Sequence, residues 1–301
     1  MPNFKIKRHT LAEAAALIPD GARVHFGGMS VHNHPMGFIY EVIRRGTRDL
    51  TVVGHVHADD LDILVGAGCV KRVETSYVGL EEFGLAPNFR RAVEHGEIDL
   101  AEYSEPVSFE RFACSARGQP FFCTGEMLGT DLPKVNPDIR EFESPYDGRK
   151  VHLVPAAEPD WVVLHAPMAD EYGNVLFYEV LQTPQQLDLN ASKTTRNLIV
   201  TVEKIVSHEQ VLHFSHRNLI PRFRTRAVVE APFGAHPSSC LGYYDHDREQ
   251  LRRYAEAARD PKRFRNYLEE YVLGVEGQIG YLERVGLTRL LEIRHVGGMQ
   301  R

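Results

Sequence analysis

The sequence lacks long apolar runs and has little cysteine. No segment approaches the roughly 18 consecutive apolar residues that cross a bilayer, so we predict no transmembrane helix. The basic start MPNFKIKRHT has no apolar stretch of the kind found in secretion signals. We therefore expect a soluble, cytoplasmic protein with reduced thiols. None of the four cysteines stands in a CxxC motif: Cys69, Cys114, Cys123 and Cys240.

An excess of either charge is also missing. Lys plus Arg total 35 and Asp plus Glu total 41, which gives a formal net charge of −6 with the two signs interspersed. A basic stripe for nucleic acid is absent, so we expect no nucleic-acid partner. Hydrophobic residues make up 43% of the 301 residues, enough for a full globular core. The length permits one or two domains, and the regular order of elements favours a single domain over residues 1–301.

Common nucleotide and nucleophile motifs are absent as well. Gly66-Ala67-Gly68 lacks the third glycine of GxGxxG, and neither GxxxxGK[ST] nor GxSxG occurs. These absences disfavour NAD, ATP and a serine hydrolase in which Ser30 would be the nucleophile.

Short apolar strands alternate with amphipathic helices. Residues 10–18 are predicted to be a helix with a capping box between Thr10 and Glu13, and residues 23–26 to be the first strand. The next helix is PMGFIYEVIRRG, with Pro35 in its first turn and Gly46 at its C-cap. The further predicted strands are LTVVG, VETSYVG, IDLAEY, VHLVP, DWVVLHAP, NLIVTVE and AVVEAPFG, and the further helices are DDLDILVGAG, NFRRAVEHG and PVSFERFACSARG.

This alternation predicts an α/β fold. Strands joined by helices form an open, mostly parallel sheet with helices on both faces. The segment GTDLPKVNPDIREFESPYDG has three prolines and little periodicity, so we expect an irregular surface excursion. The chain should end in helices over residues 247–259 and 261–273 and in two shorter pieces that reach Ile293.

A pair of glycines follows the first predicted strand. Ligands bind beyond the carboxyl ends of parallel strands, where Gly27 and Gly28 would offer backbone N–H groups to a carbonyl or an oxyanion. The glycines could equally serve only to turn the chain. His32 and His34 stand between them and the next helix, and we expect both to line a ligand pocket.

Histidine is abundant, with 15 residues, which raises the question of a metal site. The pairs His32/His34 and His55/His57 have i, i+2 spacing, which places both rings on one face of an extended segment. Neither pair has a carboxylate or cysteine at a recognisable ligand spacing, so we predict no metal site. Three further histidines are expected to face solvent: His208, His213 and His216.

One carboxylate stands where a catalytic base is expected. Glu105 follows strand IDLAEY and precedes Pro106, which places it at the carboxyl end of a strand and at a helix start. An acid at that position also stabilises the helix through its dipole, so a capping role is the alternative. Glu102 lies within the strand and is less suited.

Four long segments resemble a known family in their order along the chain. They are LAEAAALIPDGARVHFGGMSVHNHPMGFIYEVIRRGTRDLTVVG, CTGEMLGTDLPKVNP, ADEYGNV and AVVEAPFGAHPSS. They resemble the α subunit of class I coenzyme A transferases, close to the glutaconate CoA-transferase branch. The resemblance implies a NagB/RpiA-like CoA-transferase fold, acyl-CoA chemistry and a β subunit of similar fold in an α2β2 heterotetramer. It also implies an active site at the α/β interface, with the nucleophilic glutamate of the transferases on the β subunit.

Within the family, the segment Tyr103-Ser104-Glu105-Pro106 is similar to that of actinobacterial steroid-ring-cleaving CoA hydrolases. The resemblance implies that Glu105 is a general base in hydrolytic C–C cleavage of a cyclic β-dicarbonyl acyl-CoA during cholesterol catabolism. CoA would enter only as part of the substrate, with no metal or redox cofactor. We expect Glu105 to be half-buried in an apolar pocket. The expected substrate-binding residues are Gly27, Gly28, Ser30, His32, His34 and Ser104.

Two alternatives stay open. The first is an ordinary acyl-CoA:carboxylate CoA-transferase whose chemistry lies on the partner. The second is a structural α subunit that only completes a pocket.

Overall fold

The computed structural model describes residues 4–295 and shows an α/β protein. Its strands are β1 (Arg23–Phe26), β2 (Leu50–Val53), β3 (Val56–His57), β4 (Val70–Thr75), β5 (Tyr77–Val78), β6 (Asp99–Glu102), β7 (Phe121–Thr124), β8 (Arg140–Glu143), β9 (Lys150–Pro155), β10 (Trp161–Asp170), β11 (Val175–Leu176), β12 (Leu198–Val206), β13 (Asn218–Ile220) and β14 (Thr225–Glu230).

The α-helices are α1 (Leu11–Ala15), α2 (Met36–Arg45), α3 (Asp59–Gly66), α4 (Pro87–Glu94), α5 (Glu105–Ala116), α6 (Leu132–Val135), α7 (Thr183–Ala191), α8 (His208–His213), α9 (Arg248–Ala258), α10 (Pro261–Leu268), α11 (Gly277–Val285) and α12 (Leu287–Ile293). Short 3₁₀ turns cover Glu81–Phe83 and Ser215–Arg217, and α10 continues into a π-helical turn, Glu269–Leu273. Along the described chain, no helix combines the length and the apolar character needed to cross a membrane.

A mostly parallel sheet forms the centre of the fold, as predicted. Seven strands pair in parallel in the order β14-β12-β10-β1-β2-β4-β6. The long strand β10 also pairs with β11, antiparallel, beyond the end of β1, and β13 continues that edge. On one side of the sheet β1 is followed by β2, β4 and β6, and on the other side β10 is followed by β12 and β14. The strand order therefore reverses between β1 and β10. Such a reversal opens a crevice at the carboxyl ends of the two strands.

Helices cover both faces of this sheet, which confirms the predicted architecture. Alternate residues of one strand point to different cores: Val52 packs in the core with α1, α2, α3, α9 and α10, whereas Val53 packs with α5 and α7. Strands covered on both faces carry continuous apolar runs, and β2 and β10 show this pattern.

The predicted irregular excursion contains regular structure, so that expectation was wrong. Its strand β8 pairs with β9, and β7 pairs with the same strand, in a separate three-stranded antiparallel sheet. All four β8 residues are exposed, so no apolar alternation marks the strand in the sequence. Asn136 Nδ2 donates to Glu102 O at 2.8 Å, which ties the excursion to the end of β6.

Helix ends follow the sequence signals closely. The capping box between Thr10 and Glu13 is present, although α1 stops at Ala15 rather than at Ile18. Gly46 ends α2 in the left-handed conformation, and Pro35 lies at the N-cap instead of within the first turn. The predicted strand VETSYVG is broken at Ser76 into β4 and β5. The C-terminal helices are confirmed.

Three helices escaped prediction: the four-residue α6 inside the excursion, α7 and α8. α7 buries Gln185 and Asp188 beside Leu187, so its buried side carries no apolar stripe. α8 is short and buries only Val211.

Candidate active site

Parallel strands β1, β2, β4 and β6 end at one border of the sheet, here called the carboxyl edge. The Gly27–His34 segment, called the glycine loop, follows β1, and Ser104 and Glu105 follow β6. Three strand spacings separate β1 from β6 in the sheet, a distance of about 14 Å. The site residues predicted from the sequence therefore share one edge but form two groups.

The N–H groups of the two glycines are already used within the chain. Gly27 N–H donates to Val163 O at 2.8 Å, which continues the β1–β10 ladder, and Gly28 N–H donates to Asp188 Oδ1 at 2.9 Å. The expectation that these groups are open to an oxyanion is therefore wrong for this conformation. The structure instead explains the glycines by close approach, since a Cβ at residue 27 would lie 2.5 Å from Asp188 Oδ1 and from Leu164 Cδ2.

Backbone conformation holds the glycine loop tightly turned. Gly28, Ser30 and Asn33 have φ of 94°, 58° and 60°, and Met29 N–H donates to His32 O at 2.9 Å. Positive φ is uncommon for residues other than glycine and costs of order 1–3 kcal/mol when the surroundings impose it. The side chains of Ser30 and His32 are partly exposed, so these two remain available to a ligand.

His34 braces the glycine loop rather than lining a pocket, contrary to expectation. Its ring is fully buried, with Nδ1 2.7 Å from Gly27 O and Nε2 2.6 Å from Ser30 O. A neutral imidazole carries one N–H, so it donates to one of these carbonyls at a time. Burial lowers the pKa of His34, while Asp60, 3.5 Å from Nδ1, opposes that shift.

His32 is the accessible histidine of the glycine loop. Its Nδ1 lies 2.6 Å from Ser239 Oγ, and its ring meets His246 edge-on at 5.9 Å. Burial and His246 lower the pKa of His32. The ring is therefore held in place with one nitrogen engaged.

His55 and His57 point into different surroundings. His57 Nδ1 donates to Asp60 Oδ2 at 2.6 Å, whereas the His55 ring packs 4.3 Å from Phe112 of α5. Neither nitrogen of His55 has a hydrogen-bond partner among the described residues, and burial lowers its pKa well below the usual value. Both residues serve the packing of α3 and α5 against the carboxyl edge.

A potential metal-ligand group lies elsewhere in the core. Within residues 4–295, His165, Glu203 and Cys240 are the group whose donor atoms lie within 4.8 Å of one another. His165 Nε2 is 2.9 Å from Glu203 Oε1, and Tyr244 OH donates to the same oxygen at 2.7 Å. The imidazole of His165 and the carboxylate of Glu203 thus have hydrogen-bond partners within the chain. The absence of a metal site stays a prediction.

Two of the three histidines that were expected to face solvent do so. His213 and His216 are exposed, but His208 is half-buried because its Nδ1 donates to Asp170 Oδ2 at 2.8 Å.

Glu105 is the first residue of α5 and its side chain is exposed. The expected half-buried, apolar surroundings are not provided by this chain. Ser104 occupies the N-cap but does not cap the helix, and its buried Oγ has no partner among the described residues. The helix is anchored by Arg111, whose Nη2 donates to Glu74 at 2.7 Å and whose guanidinium stacks 4.0 Å from the Tyr103 ring.

Glu81 also lies at the carboxyl edge, although the sequence did not predict it as a site residue. Ser30 Oγ donates to Glu81 Oε1 at 2.5 Å, and Glu81 itself has φ of 51°. No sequence signal marks it, because the bond joins residues 51 positions apart.

The coenzyme A transferase family profile matches residues 8–231. An uncharacterized protein of Archaeoglobus fulgidus is 38% identical over 91% of this chain, which spans only 61% of that relative. The A subunit of 3-oxoadipate CoA-transferase from Pseudomonas knackmussii is 33% identical over 89% of this chain and 94% of its own. The IpdA subunit of the cholesterol ring-cleaving hydrolase of Rhodococcus jostii is 29% identical over 92% and 95%.

Solved structures of two enzymes superpose on most of this chain. Glutaconate coenzyme A-transferase from Acidaminococcus fermentans superposes with a TM-score of 0.91 at 29% identity, covering 97% of this chain and 96% of its own. A cysteine-to-serine variant of the decarboxylase AibA/AibB reaches a TM-score of 0.77 at 31% identity, covering 88% and 99%. Proteins similar to this chain thus include transferases, a hydrolase and a decarboxylase.

Proposed function

Since this chain belongs to the coenzyme A transferase family, and several of its relatives are named as A subunits of CoA-transferases, we propose that it forms half of an enzyme acting on acyl-CoA thioesters. Its partner is a β subunit of the same family, in an α2β2 assembly. The proposed reaction is hydrolytic C–C cleavage of a cyclic β-dicarbonyl acyl-CoA, the opening of the last steroid-derived ring. CoA enters as part of the substrate.

The observation that carries this proposal is the free carboxylate of Glu105. It stands exposed at the end of β6, and within the described residues it forms no ion pair or hydrogen bond that would occupy it. A general base must be open to the proton it takes. The partner subunit would cover this face and supply the drier surroundings that this chain does not.

In the proposed step, Glu105 takes a proton from water while the water oxygen bonds to the ring ketone carbon. The tetrahedral oxyanion then re-forms its carbonyl as a carboxyl group and breaks the ring C–C bond. The carbon that leaves as an enolate is protonated by the acid form of Glu105. One water is consumed, and the base is regenerated.

The oxyanion donors lie beside Glu105 in this proposal. The backbone N–H groups at the start of α5 have no side-chain cap, and together with the helix dipole they favour negative charge there. The glycine loop is about 14 Å away across the strands, too far to act on the same atom. Ser30 and His32 are therefore proposed to contact a more distant part of the acyl-CoA.

A product-mass experiment tests this proposal. The reconstituted complex is incubated in H₂¹⁸O with a ring-containing β-dicarbonyl CoA thioester and no acyl acceptor. We expect a product one water heavier that carries the ¹⁸O label, and a strong loss of this product with Glu105→Gln. Glu102→Gln is the matched control, because Glu102 is an exposed carboxylate three residues earlier, at the end of β6.

A transferase is the second candidate, and the higher identity to a CoA-transferase chain favours it, 33% against 29% for the hydrolase chain. In that case Glu105 is a helix-stabilising acid and the partner holds the nucleophile. Trapping a glutamyl-CoA thioester on the partner with hydroxylamine or borohydride would establish the transferase. Full activity of an assembled Glu105→Gln complex would exclude a catalytic part for this residue.

A further inference from the structure

Asp188 is a buried carboxyl group with a single hydrogen bond. The residue is 1% exposed and lies on α7, which packs against α5 on one face of the central sheet. Its Oδ1 accepts the N–H of Gly28, while Oδ2 has no partner among the described residues. This arrangement links the glycine loop to a helix 160 positions away in the sequence.

The contact between carboxyl group and loop is close on both glycines. A Cβ at residue 27 would meet Asp188 Oδ1 at 2.5 Å, whereas a Cβ at Gly28, which has φ of 94°, would meet His32 O of the loop itself at 2.5 Å. Gly27 is thus fitted to this carboxyl group, and Gly28 to the turn of the loop. Asp188 holds the peptide between the two glycines through this contact and through its hydrogen bond to the Gly28 N–H.

Fold stability alone does not explain such a group. A buried polar atom without a partner costs free energy of folding. A protein with an unpaired buried carboxyl group is therefore often less stable than one with an apolar side chain of similar shape at the same position. Of the ionisable groups on α5 and β1, Arg111 is engaged by Glu74 and burial lowers the pKa of His25 to about 3, and neither contributes to the pKa shift of Asp188. Burial raises the pKa of Asp188 to about 7, against the opposing effect of the Gly28 N–H.

We propose that Asp188 is a positioning residue of the active site, holding the Gly28 peptide so that the glycine loop presents Ser30 and His32 at the carboxyl edge. The inference rests on the proposed function only in so far as the glycine loop contacts the acyl-CoA. Because the carboxyl group changes charge near neutral pH, the strength of its bond to Gly28, and with it the order of the loop, should change there too.

Amide hydrogen exchange of the loop tests this inference without any assay of the reaction. In the complex with the partner subunit, exchange of peptides covering residues 27–34 is compared between wild type, Asp188→Leu and Asp188→Asn. Loss of the acceptor in Asp188→Leu should speed exchange about tenfold, whereas Asp188→Asn retains a neutral acceptor and should match wild type at pH 6, below the pKa of Asp188. Asp62→Asn is the matched control, because Asp62 is also buried but bonds Tyr254 and Phe89, away from the loop.

Kinetics of whichever acyl-CoA reaction the complex catalyses give the second readout. Asp188→Leu should raise KM about tenfold with a smaller change in kcat. In Asp188→Asn the KM should lose its dependence on pH between about 6 and 8, since the amide does not ionise there.

Wild-type loop exchange and wild-type KM in Asp188→Leu would overturn the inference. Should that variant fail to fold, Asp188→Asn decides: a KM whose pH dependence is the same as that of wild type would contradict it. A complex that proves to be a transferase would remove the proposed hydrolysis and leave these comparisons unaffected.

Discussion

Ser30 Oγ donates a 2.5 Å hydrogen bond to Glu81 Oε1, and both residues have positive φ, 58° and 51°. Two strained residues from separate loops thus meet at the carboxyl edge. Strain of this kind persists only where the surroundings enforce it, and it is concentrated at ligand sites.

Removing this contact should weaken substrate binding more than catalysis. Ser30→Ala deletes one hydrogen bond to a carboxylate, worth about 1–2 kcal/mol, so we expect KM to rise roughly five- to thirtyfold with kcat nearly unchanged. Initial-rate kinetics of the reconstituted complex measure the split. An equal fall in kcat and kcat/KM would instead indicate a contact made only in the transition state.

A methyl group at Gly27 should destabilise the fold. Its Cβ would lie 2.5 Å from both Asp188 Oδ1 and Leu164 Cδ2, and such overpacking costs about 1–3 kcal/mol. Urea unfolding of Gly27→Ala should show this loss. Gly125→Ala is the control, since its Cβ would meet its nearest atom, Leu128 Cδ1, at 3.9 Å, and it should unfold like wild type.

The ion pairs of Glu74 should make stability depend on acid pH. Burial opposes ionisation, but the hydrogen bonds and charges of Arg23 and Arg111 outweigh it and lower the pKa of Glu74 to about 2. The unfolded state then binds more protons between pH 4.5 and 2, so stability present above pH 4.5 is lost as the pH falls through this window. The loss amounts to about 3 kcal/mol. Between pH 4.5 and 2, the free energy of unfolding should therefore fall more steeply for wild type than for Glu74→Gln. Equal slopes in the two proteins would contradict the assignment.

Asp188 should give the opposite pH dependence. Burial raises its pKa from 3.8 to about 7, so the folded state binds more protons than the unfolded state between these values. Stability should therefore fall as the pH rises through this window, by up to about 1.4 kcal/mol per pH unit. Asp188→Asn should remove this slope in urea titrations from about pH 4 to 8. A slope equal to that of wild type would show that Asp188 is ionised throughout.

The architecture could be predicted from the sequence because its signals are local. Capping at Thr10, the left-handed Gly46 and the apolar run of β2 each depend on a few adjacent residues. α7 could not be predicted, because it buries polar Asp188 against a loop distant in sequence. β8 could not be predicted either, since its residues are exposed.

The candidate site was predictable only in part. The strand-end positions of Gly27 and Glu105 follow from the order of elements. The occupants of the glycine N–H groups do not, because Val163 and Asp188 reach them through tertiary packing. The environment of Glu105 depends on a second chain in the proposed function, which a single sequence does not encode.

The ¹⁸O content of the product formed by the reconstituted complex, with and without Glu105, is the most direct test of the proposed hydrolysis. We predict a ring-opened CoA thioester that gains one labelled water with no acyl acceptor present, formed about 10² to 10⁴ times more slowly by Glu105→Gln than by Glu102→Gln. Ring opening at an equal rate in both variants, or CoA transfer to a carboxylate without ring opening, would contradict it.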